Sequence, residues 1–244
     1  QSEGNTDPMD AWIALLDELL REVPQFPSEE IEMRVAAAML SAICVRQPGH
    51  PDGARWAERA LELTRLHPDP NLRAITAFNW YLYHFEMGEF AKAGPVADEM
   101  RAVMAARDVA PVVALHASMT VAMHECAFAL PSYRRTVTDM LELRRTGGIV
   151  DAAKHVLLLM GLFSALSDGD MESVDNWLRE TDRDVLVLGP GYGSWRDMAV
   201  VRAALIRGDL ETASALQPEM LRLTLTAGSP FHGAVALLTS GLPT

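Results

Sequence analysis

Four groups of residues in this chain could do chemistry. Asp184-Val185-Leu186-Val187-Leu188 is followed by Gly189-Pro190-Gly191-Tyr192-Gly193. A β-branched apolar run ahead of spaced glycines is the pattern of a strand entering a phosphate-binding loop. Such a loop needs a βαβ unit, with the phosphate at the next helix N-terminus. The chain supplies one candidate strand and no parallel neighbour, and Pro190 departs from GxGxxG. The residues are better read as a long loop between helices, and long loops sometimes contact ligands. His124-Glu125-Cys126 places three potential metal ligands in a row, with His116 two helical turns upstream. Adjacent helical residues point in different directions and cannot chelate one ion. Gly193-Ser194-Trp195 lacks the pattern of a nucleophile elbow, and Ser194 reads as a helix N-cap. The paired carboxylates Glu29/Glu30 and Asp17/Glu18 read as solvated helix surface. Neither catalysis, a cofactor nor a metal is expected.

The elements that would carry these residues are helical. Ala, Leu and Met abound while Ile, Thr, Tyr and Phe are sparse, a balance that favours helix over strand. Hydrophobic residues make up 49% of the 244 positions, enough for a sizeable core. The turn Gly-acidic-apolar recurs at Gly88-Glu89-Phe90, Gly169-Asp170-Met171 and Gly208-Asp209-Leu210. Degraded copies fall near Leu130-Pro131-Ser132-Tyr133 and Pro48-Gly49-His50, so the unit repeats roughly every 40 residues, within the range of solenoid arrays. The glycine suits a left-handed helix end. The acid can cap the next helix. The apolar residue can plug the elbow, and Ala93 or Ala213 allows close helix approach; Val174 is a looser fit. Helix pairs are predicted at about 28–46 and 53–67, 71–86 and 90–107, 111–129 and 132–146, 150–167 and 170–180, and 194–207 and 210–226. Asp10 is expected to cap a first helix with Trp12, Leu15, Leu16, Leu19 and Leu20 on one face, and 231–240 to form a last, unpaired helix. Residues 1–8 are expected to be disordered, and 9–244 to form a single domain.

This pattern resembles the tetratricopeptide-repeat (TPR) superfamily, with Gly88, Phe90 and Ala93 at its turn, aromatic and small positions. It departs from the family in its longer repeat, about 40 residues rather than 34, and in its degenerate third turn. A repeat of that length is similar to the helical sensor arrays of large bacterial LuxR-type ATP-dependent transcriptional regulators. The resemblance implies an all-α, TPR-like right-handed superhelix of about five repeats with extra terminal helices. It also implies that the first helix of each pair lines a concave groove. By that count the groove residues are Phe78, Asn79, Leu82, Phe85 and Glu86, then Glu125 and Phe128, Phe163, and Trp195, Met198 and Arg202. The expected occupant is a protein, a peptide or a small-molecule effector. The implied function is a non-catalytic interaction or ligand-sensing module, the regulatory array of a transcription regulator; the alternative is a stand-alone scaffold gripping a peptide.

Charge limits the partners. With 21 Lys+Arg against 33 Asp+Glu, the net charge is −12. Direct nucleic-acid or anionic-membrane binding needs clustered cations and is not expected. The two cysteines, Cys44 and Cys126, lie in apolar helical runs and read as buried free thiols of a reducing compartment. Without a visible leader or spanning segment, the expected location is cytoplasmic.

Overall fold

The computed structural model describes residues 7–22, 25–106, 109–147, 154–182, 190–227, 230–231 and 233–234. Among these residues there are eleven α-helices, one short 3-10 turn and no strand, so the chain is all-α. A lone helix α1 (Asp7–Glu22) precedes five pairs: α2 (Glu29–Arg46) with α3 (Gly53–Thr64), α4 (Pro70–Glu86) with α5 (Gly94–Ala105), α6 (Pro111–Ala127) with α7 (Tyr133–Thr146), α8 (Lys154–Asp168) with α9 (Met171–Asp182), and α10 (Pro190–Arg207) with α11 (Leu210–Ala227). The 3-10 turn Phe90–Ala93 leads into α5.

The starts of these helices follow from local chemistry. The Ser28 hydroxyl accepts the Ile31 amide, and Glu29, Glu30 and Glu32 complement the positive end of α2. Asp69 accepts from the Asn71 amide, and Pro70 presets the first turn of α4. Asp170 and Asp209 cap their helices through the Ser173 and Thr212 amides, each at 3.1 Å. Glu89 does not cap. Its side chain is one methylene longer and folds back to the His84 ring at 2.7 Å, while the 3-10 turn intervenes before α5.

Four of the five pair-forming turns share one geometry. Gly88, Gly169 and Gly208 have φ of 74°, 70° and 75°. The residue after each donates its amide to a carbonyl five positions back. Ala129 takes the same role at φ 50°, with Leu130 bonded to Glu125 O, so the degenerate third copy is the same turn built on alanine. The small positions Ala93, Val174 and Ala213 are all buried. Phe90 and Met171 pack into their elbows, but Leu210 is 62% exposed and plugs nothing.

Three further expectations need correction. Helix α1 begins before Asp10, whose carboxylate is taken by Arg46 and Gln47. The apolar residues of α1 also divide. Ile13, Leu16 and Leu20 face the core, whereas Trp12, Leu15 and Leu19 are exposed. At α10, Pro190 to Ser194 are already helical, because a proline at the first position sets the right φ. Ser194 is therefore not a cap, and Gly191 and Gly193 belong to no phosphate loop. Residues 183–189, with the candidate strand, lie outside the described residues, as do 1–6 and most of 231–240.

Each second helix from α3 to α9 packs against its own partner and against the first helix of the next pair, while the first helices also pack on one another in the order α2, α4, α6, α8, α10. Helix α10 in turn touches α2. The main core therefore runs from Ile13 to Met160 through α4 and α6, with smaller clusters under α8–α9 and α10–α11.

Candidate apolar ligand site

Because the first helices pack on each other, their side chains bound a partly open pocket between them. Between them lies a cavity of about 80 Å³, bounded by α2, α4, α6, the start of α7, α8 and α10. A water needs on the order of 10–15 Å³ on such a measure, so the space suits about five to eight heavy atoms. Leu82, Met123, Val156, Leu159, Met160 and Phe163 belong to its apolar wall. Methionine and leucine adapt their shape at little cost.

The polar groups at the wall are few and engaged. Tyr133 Oη donates to Met160 O at 3.1 Å. Cys44 Sγ donates to Asn79 O at 3.2 Å, and Asn79 Nδ2 donates to Ser41 Oγ at 2.6 Å. Burial, then the nearby charge of Glu86, push the Cys44 thiol well above the usual range. Glu86 is only 3% exposed, and its Oε1 accepts from Trp195 Nε1 at 3.2 Å. It is the one carboxylate among the described lining residues, which include no Lys, Arg or His.

Aromatic rings close one end. Trp195 stacks on Phe85 at 5.6 Å between centroids and meets Phe163 edge-on at 5.5 Å. Phe231 packs on Phe85 at 4.8 Å, and Phe90 joins from the elbow of the second pair at 5.2 Å. Offset and edge-on pairs of this kind add attraction beyond area burial. Residues from four distant stretches of chain thus meet at one place.

The groove residues expected from the repeat pattern separate into three sets. Leu82, Phe85, Glu86, Phe163 and Trp195 come together on the cavity. Phe78 and Asn79 are buried between helices, the first beside His116 and the second against Ser41. Glu125, Phe128, Met198 and Arg202 are elsewhere. Glu125 accepts from Ser132 at 2.7 Å, Phe128 is 46% exposed, Met198 packs toward α11, and Arg202 is exposed. Val45, Met123, Tyr133, Leu159 and Met160 complete the site without having been singled out in the sequence. Nothing in their types separates them from ordinary core, and only the closure of α10 onto α2 reveals their role.

The other chemical candidates resolve individually. His116 bonds to Val112 O at 2.9 Å and His124 to Tyr81 Oη at 3.0 Å. Among the described residues, no three His, Cys, Asp or Glu are grouped to hold a metal ion. Cys44 is buried as expected, but Cys126, in the last turn of α6 at the edge of the cavity, is solvent-exposed. A second cleft of about 350 Å³ lies among α3, α4, α5 and the start of α6, with the Arg65–Glu99 ion pair at its wall. Ala106 and Val109 are among its lining residues, and residues 107 and 108 lie outside the described residues. No described helix is long and apolar enough to cross a membrane.

These features define an all-α protein of paired helices with a partly open apolar cavity between the first helices of its pairs. Neither a protein-family model, nor a curated protein, nor a solved structure matches the chain.

Proposed function

We propose that this chain is a non-catalytic, TPR-like array of five helix pairs that senses a small apolar molecule, serving as the regulatory array of a bacterial transcription regulator. One observation carries the reading: α2, α4, α6, α8 and α10, helices of all five pairs, jointly wall one apolar cavity. A ligand there touches every repeat at once. Its binding energy can therefore bias the packing of α10 on α2, and a ligand shifts an equilibrium only through such differential contact. The regulatory output follows from the likeness in repeat length to the arrays of LuxR-type regulators. The Tyr133, Cys44 and Trp195 donors at the cavity wall are committed to protein acceptors, which speaks for binding rather than turnover. The burial of Phe78, Asn79, Phe85, Glu86 and Met198 leaves little of the expected groove surface for a peptide and speaks for a small molecule between the helices.

The test is occupancy. Native mass spectrometry of the chain purified from cell extract, and thermal melts against a library of small apolar compounds, should identify ligands that raise Tm. Val45→Phe, which fills the cavity from its partly exposed rim, should abolish the rise. Ligands that bind this variant as well as the parent would place the site elsewhere and remove the basis of the sensor reading.

A further inference from the structure

The second cleft, among α3, α4, α5 and the start of α6, lies at the opposite end of α4 and α6 from the apolar cavity. At about 350 Å³ it is roomier than that cavity, with space on the order of 20 heavy atoms where a water takes about 10–15 Å³. Its floor is apolar: Ala74, Ala77, Met100 and Val113 are buried, with Leu61 and Val103 beside them. Alanine at 74 and 77 leaves this face of α4 without a side chain long enough to cross the cleft. Thr64, also buried there, donates its hydroxyl hydrogen to Ala60 O at 2.8 Å. Three charged side chains border the cleft among the described residues. Arg65 and Glu99 answer each other as an ion pair. Arg73 makes one side-chain bond, from Nη1 to His67 O at 2.9 Å, and no described carboxylate pairs with it. A carbonyl carries no formal charge, so the guanidinium, which stays protonated in proteins, keeps its positive charge unmatched. The bond to His67 O also leaves the Nε–Nη2 edge, two parallel N–H groups that fit the two oxygens of a carboxylate.

We infer that this cleft is a second ligand site and takes an apolar monocarboxylate, its chain lying on Ala74, Ala77, Met100 and Val103 and its carboxylate on the Nε–Nη2 edge of Arg73. The cleft shares no lining residue with the apolar cavity, so the inference stands apart from the sensor reading. A hydrogen bond between two ionised groups is roughly twice as strong as a neutral one, and a bidentate pair fixes the orientation of the head group as well. The apolar chain gains by leaving water for the floor of the cleft. An alcohol of the same length meets the same floor but makes only a bond with one ionised partner. An amine brings a second cation beside Arg73, and like charges repel. The net charge of −12 works the other way, drawing cations to the surface and repelling anions. A preference for the acid therefore comes from a local site and not from the molecule's overall field.

The experiment compares three probes of one shape on the full chain: hexanoate, 1-hexanol and hexylamine. Isothermal calorimetry and saturation-transfer NMR, in about 0.15 M salt to screen the exposed acids, report binding at neutral pH. Hexanoate should bind the parent about tenfold tighter than hexanol, the equivalent of one charge-assisted bond, with hexylamine weakest. Arg73→Gln should bring acid and alcohol level. Val103→Phe, which puts a ring into the cleft from its partly exposed side, should weaken both. Val45→Phe, at the other cavity, should leave hexanoate binding unchanged. If hexanol or hexylamine matches or exceeds hexanoate on the parent, or if none of the three binds, the inference is overturned. It is overturned as well if hexanoate binding survives Arg73→Gln undiminished. Loss of hexanoate binding in Val45→Phe would move the acid to the apolar cavity and overturn it again. The ranking on the parent needs no variant, so poor folding of Arg73→Gln leaves the test intact.

Discussion

Helices α6 and α7 are neighbours in one pair and have opposite characters. In α6, every residue from Leu115 to Met123 is buried. In α7, only Tyr133, Thr136, Val137 and Met140 are buried, and Arg134, Arg135, Asp139 and Glu142 face solvent. The spacing in α7 is that of a one-sided surface helix, whereas α6 is covered on every side over that stretch, its His116, Ser118 and Thr120 satisfied by carbonyls of the preceding turn. The same contrast holds between α4, buried almost continuously from Thr76 to Glu86, and α3, which buries a single stripe. Inner helices therefore carry both the stability and the cavity, while outer helices hold them in place. Moving along the chain in either direction trades one role for the other at each turn.

The largest effect should come from cutting an inner helix. Leu115 is fully buried in α6, and Leu115→Ala should cost about 2–5 kcal/mol through lost transfer energy and a new void. Leu210, on the outer helix α11 and 62% exposed, should lose no more than about 0.5 kcal/mol as Leu210→Ala. Urea unfolding followed by circular dichroism measures both. Equal losses would mean that the distinction between inner and outer helices has no energetic content.

A glycine at the contact between the two kinds of helix should come next. A Cβ added at Gly161 of α8 would stand 2.8 Å from the Trp177 ring of α9, closer than carbon atoms approach. Gly161→Ala should therefore cost about 1–3 kcal/mol by overpacking. Gly161→Ala combined with Trp177→Leu should recover part of that loss. Additive losses in the double variant would show that the two residues do not meet.

Three of the five helix pairs are legible in the sequence because glycine and acid mark their turns, and the turns at Gly169 and Gly208 use those residues for the chemistry expected of them. Ala129 was illegible for the opposite reason. Its left-handed conformation is imposed by the packing of α6 on α7 and has no local signature. The site is legible only by half. Phe85, Glu86, Phe163 and Trp195 stand out by counting back from the turns, but the same count also selects Phe128 and Arg202, which the closing of the first helices leaves outside. Periodicity tells which face of a helix is apolar; it carries nothing about which five faces converge.

Acid should weaken the inner helices selectively. Burial holds His84, His116 and His124 below the usual histidine range. All three belong to α4 and α6. An unfolded chain binds protons at these rings near pH 6.5 while the folded one resists. Their contribution to stability is thus complete above about pH 6.5 and declines as pH falls below it. Thermal melts between pH 7.5 and 5.5 should show Tm dropping on acidification, and His116→Gln should flatten the slope. An unchanged slope in that variant, with the fold intact, would remove His116 from the account.

The smallest effect should be a gain. Ala129 occupies at φ 50° the position that Gly88, Gly169 and Gly208 fill at φ 70–75°. An L-residue in the left-handed region costs roughly 1–2 kcal/mol. Glycine avoids that strain but loses up to about 1 kcal/mol of backbone entropy on folding. Ala129→Gly should therefore stabilise the chain by somewhat less than about 1 kcal/mol, whereas Gly208→Ala should destabilise it through the same balance reversed. Ala129 is exposed, and nothing lies within 4 Å of a Cβ built at Gly208, so neither substitution creates a clash or a void that would mask the backbone term. Opposite signs for the two variants in urea unfolding would establish that the third turn is the same device as the fourth and fifth. If both destabilise, the alanine turn is held by its own contacts, and the kinship of the four turns is one of shape alone.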